Sequence, residues 1–333
     1  KLKNYEKSAS TFNLFITKEE PETLIKNDAY IRLGDSYFAT RNYKDAIKSY
    51  EVVITENGAE ADYAQYQIGM SYGFRNENQA KITALNKVVN QYKTSTLKDD
   101  ALYQLANTYT KIKNNSKAHQ AYDRLLSKYP KSAFLPKSLV RQGLLYYNEN
   151  KNSKALEKFK LTVRKFPNSP DAIEAVRNAK NIYIDQDNLD DYVTWTKTLK
   201  FIDVSDNELE SSSFAIAERK YFEGKNDGSI LSLKKYLRKF PNGKNNLKAN
   251  YYLADILFQE KLFTQSIEKY QVVLKDGQSE FSEDALAKLS QIYLQKEDIK
   301  NAIPLLERLE KEAYAKENIL FAQSNLMKAY NFN

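Results

Sequence analysis

Small, large apolar and aromatic residues recur along this chain in a fixed order, and the order restarts about every 37 residues. Tyr37, Tyr72, Tyr109, Tyr146 and Tyr183 stand 35, 37, 37 and 37 residues apart; after Lys220 and Leu257 the beat returns at Tyr293 and Tyr330. Eight residues before each beat is a small residue: Ala29, Ala64, Ala101, Ser138, Ala175, Ser212, Ala249, Ala285 and Ala322. Four before it comes a large apolar one at Leu33, Ile68, Leu105, Ile216, Leu253, Leu289 and Leu326, with Gln142 and Ala179 as exceptions. Offsets of four and eight fall on one side of an α-helix, so the pattern predicts one helix repeated with the same stripe.

A second helix follows in each unit. Nine residues after the tyrosine slot come Ala46, Ala118, Ala155, Ser229, Ser266 and Ala302, and four later Tyr50, Leu85, Tyr122, Phe159, Leu233, Tyr270 and Leu306. A small residue lets two helix backbones approach, and the large one a turn on fills the space beside it. Pro130, Pro167 and Pro241 predict helix ends, because proline cannot continue the hydrogen-bond ladder and restrains its predecessor. Tight turns between paired helices are expected at Arg41-Asn42, Asn114-Asn115-Ser116, Asn150-Lys151-Asn152-Ser153 and Asn226-Asp227-Gly228. Hairpins repeated at this period stack into a solenoid, and with 9 Gly, 7 Pro and no useful alternating run the chain reads as all-α.

Leu33-Gly34-x-x-Tyr37 with Ala46 and Tyr50, and Ala118, Tyr122 and Pro130, resemble the tetratricopeptide repeat pattern over essentially the whole chain. The resemblance implies a right-handed α-solenoid of helix-turn-helix repeats that binds a partner protein or extended peptide in its concave groove. The family's usual unit is 34 residues, whereas these are mostly 37. The longer unit, with the endings Lys128-Tyr129-Pro130-Lys131-Ser132 and Lys165-Phe166-Pro167-Asn168-Ser169, is similar to the bacterial envelope branch that includes the Tol-Pal periplasmic coordinator and the outer-membrane assembly lipoprotein BamD. That likeness implies a periplasmic or outer-membrane-associated setting; the alternative is a cytoplasmic adaptor.

Residues 4 to 18 match a second helix without a first, with Ser8 and Phe12 in the small and large slots, while Ala322, Leu326 and Tyr330 match a first helix without a second. The expectation is a piece of a longer array whose ends expose Phe12, Phe15, Leu326 and Tyr330. Two stretches are anticipated, 1–203 and 204–333, in one continuous solenoid. The fifth repeat is the weak one: Tyr192 stands where a small residue belongs and Thr196 where a large one belongs. Just beyond it Ser205 and Glu208 form a capping box that predicts a helix start.

Charge is uneven. From Lys93 to Lys165 there are 16 Lys and Arg against 5 Asp and Glu, a net of +11, while the whole chain carries +8. A field of one sign over two repeats attracts acidic proteins, anionic lipid surfaces or nucleic acid. The plainer reading is that these lysines keep a tyrosine-rich solenoid soluble. Nucleic acid is the least favoured partner, because the lysines are dispersed and no nucleic-acid motif accompanies them.

The register also assigns residues to the groove. Tyr66, Tyr103, Asn107, Lys137, Arg141 and Tyr147 are the candidate partner-binding residues, with Tyr63, Met70, Arg177 and Asn181 beside them. Tyrosine offers contact area at small entropic loss, asparagine can bond an extended backbone, and Lys with Arg can hold a carboxylate. An extended peptide, acidic or presented by its C-terminus, is the expected ligand. No catalytic residue, cofactor, metal or small-molecule substrate is expected: the chain has no Cys and one His, His119, and neither a zinc pair nor a Ser/His/Asp set can be assembled around it. Any membrane contact is assigned to segments outside this sequence, since no run of 18 apolar residues occurs in it.

Overall fold

A computed structural model describes residues 4–18, 22–275 and 277–331. Among these residues the chain forms eighteen α-helices and no strand. By contacts it divides into two units, Lys1–Ile182 and Tyr183–Asn333. The first holds α1 (Tyr5–Lys18), α2 (Thr23–Ala39), α3 (Tyr43–Thr55), α4 (Ala61–Phe74), α5 (Asn78–Gln91), α6 (Lys98–Lys111), α7 (Asn115–Lys128), α8 (Leu135–Asn148), α9 (Asn152–Lys165) and most of α10 (Pro170–Asp185). The second holds α11 (Leu189–Thr196), α12 (Asp206–Phe222), α13 (Asn226–Lys239), α14 (Asn246–Gln259), α15 (Phe263–Lys275), α16 (Ser282–Gln295), α17 (Ile299–Glu312) and α18 (Lys316–Asn331). Even-numbered helices are the first of each repeat and odd-numbered ones the second.

The predicted stripe is the core. Ala64, Ala101, Ser138, Ala175, Ala249, Ala285 and Ala322 are all 0% exposed. Across from them, Tyr50, Leu85, Phe159, Leu233, Tyr270 and Leu306 are 0% exposed and Tyr122 1%. Each of these large side chains enters a hole made by a small first-helix residue three before the tyrosine slot. A Cβ on Gly34 would lie 2.6 Å from Tyr50, one on Gly69 2.8 Å from Leu85, and one on Gly143 2.6 Å from Phe159. Helices α7, α9 and α13 end at Lys128, Lys165 and Lys239, two residues before Pro130, Pro167 and Pro241.

Each first helix from α2 to α16 closes with a left-handed residue four past the tyrosine slot: Arg41, Asn76, Lys113, Asn150, Asp187, Gly224, Lys261 and Glu297 all have φ between 54° and 68°. There the amide of the next residue bonds back to the slot carbonyl, as from Asn114 to Tyr109 and from Asn188 to Tyr183, both at 2.8 Å, which is the Schellman closure. Three predicted turns run into the following helix: Asn115-Ser116 opens α7 and Asn152-Ser153 opens α9, behind turns at Lys113 and Asn150, and the third is wholly displaced. Asn226-Asp227-Gly228 begins α13, where Asp227 suits the positive helix end, and the turn itself centres on Gly224. The Ser205 cap forms as expected, its Oγ accepting from the Glu208 amide at 3.3 Å.

The fifth repeat departs where expected: α11 has eight residues, and Tyr192 is buried beside Tyr183 and Trp195, at ring separations of 5.9 and 6.4 Å. At the ends, Tyr330 is 54% exposed, as anticipated, but Leu326 is 7% exposed. It lies on the stripe that meets the core of α17, formed by Ala302, Leu306 and Leu309, so the apolar surface of α18 is Leu320, Met327 and Tyr330 instead. Phe12 and Phe15 are half-buried, and Tyr5 and Leu14 are the exposed apolar residues of α1.

Candidate partner-binding groove

First helices present one face each, and in the first unit α6 and α8 bring most of the predicted residues together. Tyr103, Asn107, Lys137 and Arg141 line one pocket of about 400 Å³ with Thr110, Tyr122 and Leu144. Asn107 is oriented from below: its Oδ1 accepts the Tyr122 hydroxyl at 2.8 Å, which aims its side-chain amide group. Tyr122 is packed in the hairpin core, and burial pushes its phenol up. Lys137 and Arg141 sit one turn apart on α8, exposed, and neither forms an ion pair among the described residues.

The tyrosines contribute less open ring than the sequence reading assigned to them. Tyr66 and Tyr103 are each 8% exposed. Tyr66 donates its hydroxyl to Asp100 Oδ2 at 2.8 Å, joining α4 to α6, and Tyr103 stacks on Phe134 at 5.1 Å, ahead of α8. Both rings therefore bind one repeat to the next, and Tyr103 shows the pocket only an edge. Tyr66 and Tyr147 lie outside the pocket lining; Tyr147 is half-buried near the end of α8. Tyr63 is likewise structural: it donates to Asp35 Oδ1 at 2.9 Å, and burial, then that carboxylate, push its phenol up to about 12.

The second unit carries a different face, which the sequence reading did not single out. Tyr221 and Tyr252 stack at 4.1 Å, and Phe222, 72% exposed, meets Tyr252 edge-on at 5.8 Å. Its cations are neutralised. Lys248 pairs with Glu218 at 2.8 Å, Lys288 with Asp255 at 2.5 Å and Asp284 at 2.8 Å, and Lys220 with Asp187. The same first-helix register, carried past the fifth repeat, would have found these rings.

Models of the tetratricopeptide repeat match residues 28–57, 63–95, 100–132, 137–169, 214–283 and 283–313. The interval 170–213, which includes the short α11, lies between those matches. Among solved structures the chain is similar to MamA, at 23% identity over 49% of this chain and 88% of that one, with a TM-score of 0.42. It is also similar to a tetratricopeptide repeat protein from Parabacteroides merdae (13% identity, 91% and 98% covered, TM-score 0.39). A third is the C-terminal part of a repeat-containing protein from Cytophaga hutchinsonii (14% identity, 87% and 98% covered, TM-score 0.38). None of the curated proteins matches the chain.

Proposed function

The chain belongs to the tetratricopeptide repeat family, and from that premise we propose that it is a protein-interaction scaffold whose first unit holds an extended acidic peptide along α6 and α8. The observation that carries this reading is the contrast between the two faces. Lys137 and Arg141 border a pocket with no carboxylate among the described residues paired to them, whereas Lys220, Lys248 and Lys288 of the second unit are already matched to acids. An unpaired pair of cations beside a positioned amide suits a carboxylate and the backbone next to it. The chain acts in this reading by binding and not by catalysis.

We place the scaffold in a bacterial envelope assembly, on the strength of the 37-residue unit and its Lys-Tyr-Pro and Lys-Phe-Pro endings. A cytoplasmic adaptor is the alternative, and a lipobox cysteine upstream in the gene would separate the two.

The test is a titration of a fluorescent octaglutamate peptide, followed by anisotropy, against the wild type and the double variant Lys137→Glu/Arg141→Glu. Each partly exposed contact is worth on the order of 1 kcal/mol, so binding should weaken about tenfold or more at unchanged helicity. Equal affinity for two equally folded proteins would move the interface away from α8.

A further inference from the structure

Lys81 stands, with Tyr192 of the irregular fifth repeat, as an exception in a column of small residues. Its counterparts nine past the tyrosine slot, Ala46, Ala118, Ala155, Ser229, Ser266 and Ala302, are all 0% exposed. A lysine in that slot runs its stem between two helices. Room for it comes from Gly73 at the end of α4, where a Cβ would lie 2.9 Å from Lys81 Cδ and 3.3 Å from its Nζ. The side chain passes that glycine and delivers its ammonium to α6, donating to Gln104 Oε1 at 3.2 Å. Gln104, Asn107 and Lys111 follow at i, i+3 and i+7, one face of the helix that also walls the pocket.

Lys111 donates to Asn76 Oδ1 at 2.6 Å. Both ammonium groups thus bond to neutral amide oxygens, and neither has a carboxylate within ion-pair reach among the described residues. Burial, and then the charge of Lys111, hold Lys81 below the usual lysine range, and Asp100 offsets part of this. That carboxylate is engaged by the Tyr66 hydroxyl at 2.8 Å and by the Gln104 amide at 3.4 Å. Lys220 is the contrast: it too is drawn inward, but onto Asp187, with Ser232 Oγ at 2.9 Å. Enclosed charges are ordinarily paired, because leaving one unpaired costs stability.

We propose that Lys81, Lys111 and Gln104 form an oxyanion subsite that receives a side-chain carboxylate of the peptide held at Lys137 and Arg141. The proposal rests on the groove reading above and extends the binding track by one repeat along α6. The half-buried Lys81 and the exposed Lys111, each bonded among the described residues to an amide oxygen, exchange those weak bonds for charge-assisted ones when a carboxylate arrives.

The experiment uses the same octaglutamate peptide, with octaglutamine as the neutral control, on the wild type, Lys81→Met and Lys137→Glu/Arg141→Glu. Lys81→Met keeps the buried stem and removes the charge; it should bind octaglutamate about fivefold or more weakly, with unchanged helicity and an unfolding midpoint no lower than wild type. If Lys81→Met binds like the wild type while the double variant is weakened, the subsite is wrong and the groove stands. If neither variant changes binding, both are wrong. An equal loss for octaglutamine would make Lys81 merely structural, and tighter binding of single-stranded DNA than of octaglutamate would assign the track to phosphates; either overturns the proposal. Should Lys81→Met fail to fold, the Lys81 side-chain NMR signal of the wild-type protein must shift on adding octaglutamate, and its silence would refute the subsite.

Discussion

Gly143 and Phe159 show how little room one residue has in this stack. The ring lies against the glycine Cα from inside the hairpin, with no exposed side toward which it could move. Gly143→Ala should therefore destabilise the first unit by about 1–3 kcal/mol in chemical denaturation, and Phe159→Leu should restore part of the loss, since Leu233 opposite Ala217 is a pair of that kind. At Gly228, inside α13, the sign reverses: the nearest atom to a new Cβ is Lys220 Cδ at 3.5 Å, so alanine gains up to about 1 kcal/mol from helix propensity. The stripe behind these effects is legible in the sequence because it recurs nine times with little variation. Lys81 is not, because a missing member of a small-residue column reads as decay of the repeat; the glycine that accommodates it is eight residues away, across a turn. Ring exposure escaped for a related reason. What covers Tyr66 and Tyr103 is a neighbouring repeat, and a register assigns a face without saying how closely the next element lies on it.

Helix ends are set by backbone geometry more than by residue type. Eight first helices close through a left-handed residue, and only at Gly224 is that residue glycine. A side chain there costs roughly 1 kcal/mol, less for asparagine. Lys113→Gly should accordingly raise the unfolding midpoint by about 0.5–1 kcal/mol in equivalent stability, while Asn150→Gly should be near neutral; a fall with Lys113→Gly would mean that the lysine side chain contributes more than the strain removes. The misplaced turn at Asn226-Asp227-Gly228 follows from the same fact. Asparagine, aspartate and glycine are all turn formers, yet they are also suited to a helix N-terminus, and only the spacing from the tyrosine slot separates the two uses. The Ser205 cap was legible because hydroxyl and carboxylate are three residues apart, a local signal that needs no neighbour.

Across the molecule, the faces described in the two units differ in how their cations are matched: Lys137 and Arg141 form no ion pair among the described residues, whereas Lys220, Lys248 and Lys288 do. A track of unpaired cations answers to ionic strength, whereas a face of stacked rings and matched pairs does not attract ions from a distance. Octaglutamate binding should weaken several-fold between about 50 mM and 500 mM salt, measured by the same anisotropy titration; a flat response would remove the electrostatic basis of the first-unit groove. The principal helix contacts within each unit join sequence neighbours, with α12 to α14 and α16 to α18 reaching one helix further. Such connectivity governs synthesis as well as the finished structure. Emerging from a ribosome, a hairpin meets the partner it needs within the preceding repeat, so closure entropy stays small and few apolar faces wait for distant sequence. A nascent chain of this design gains its order from the N-terminus onward, one repeat at a time.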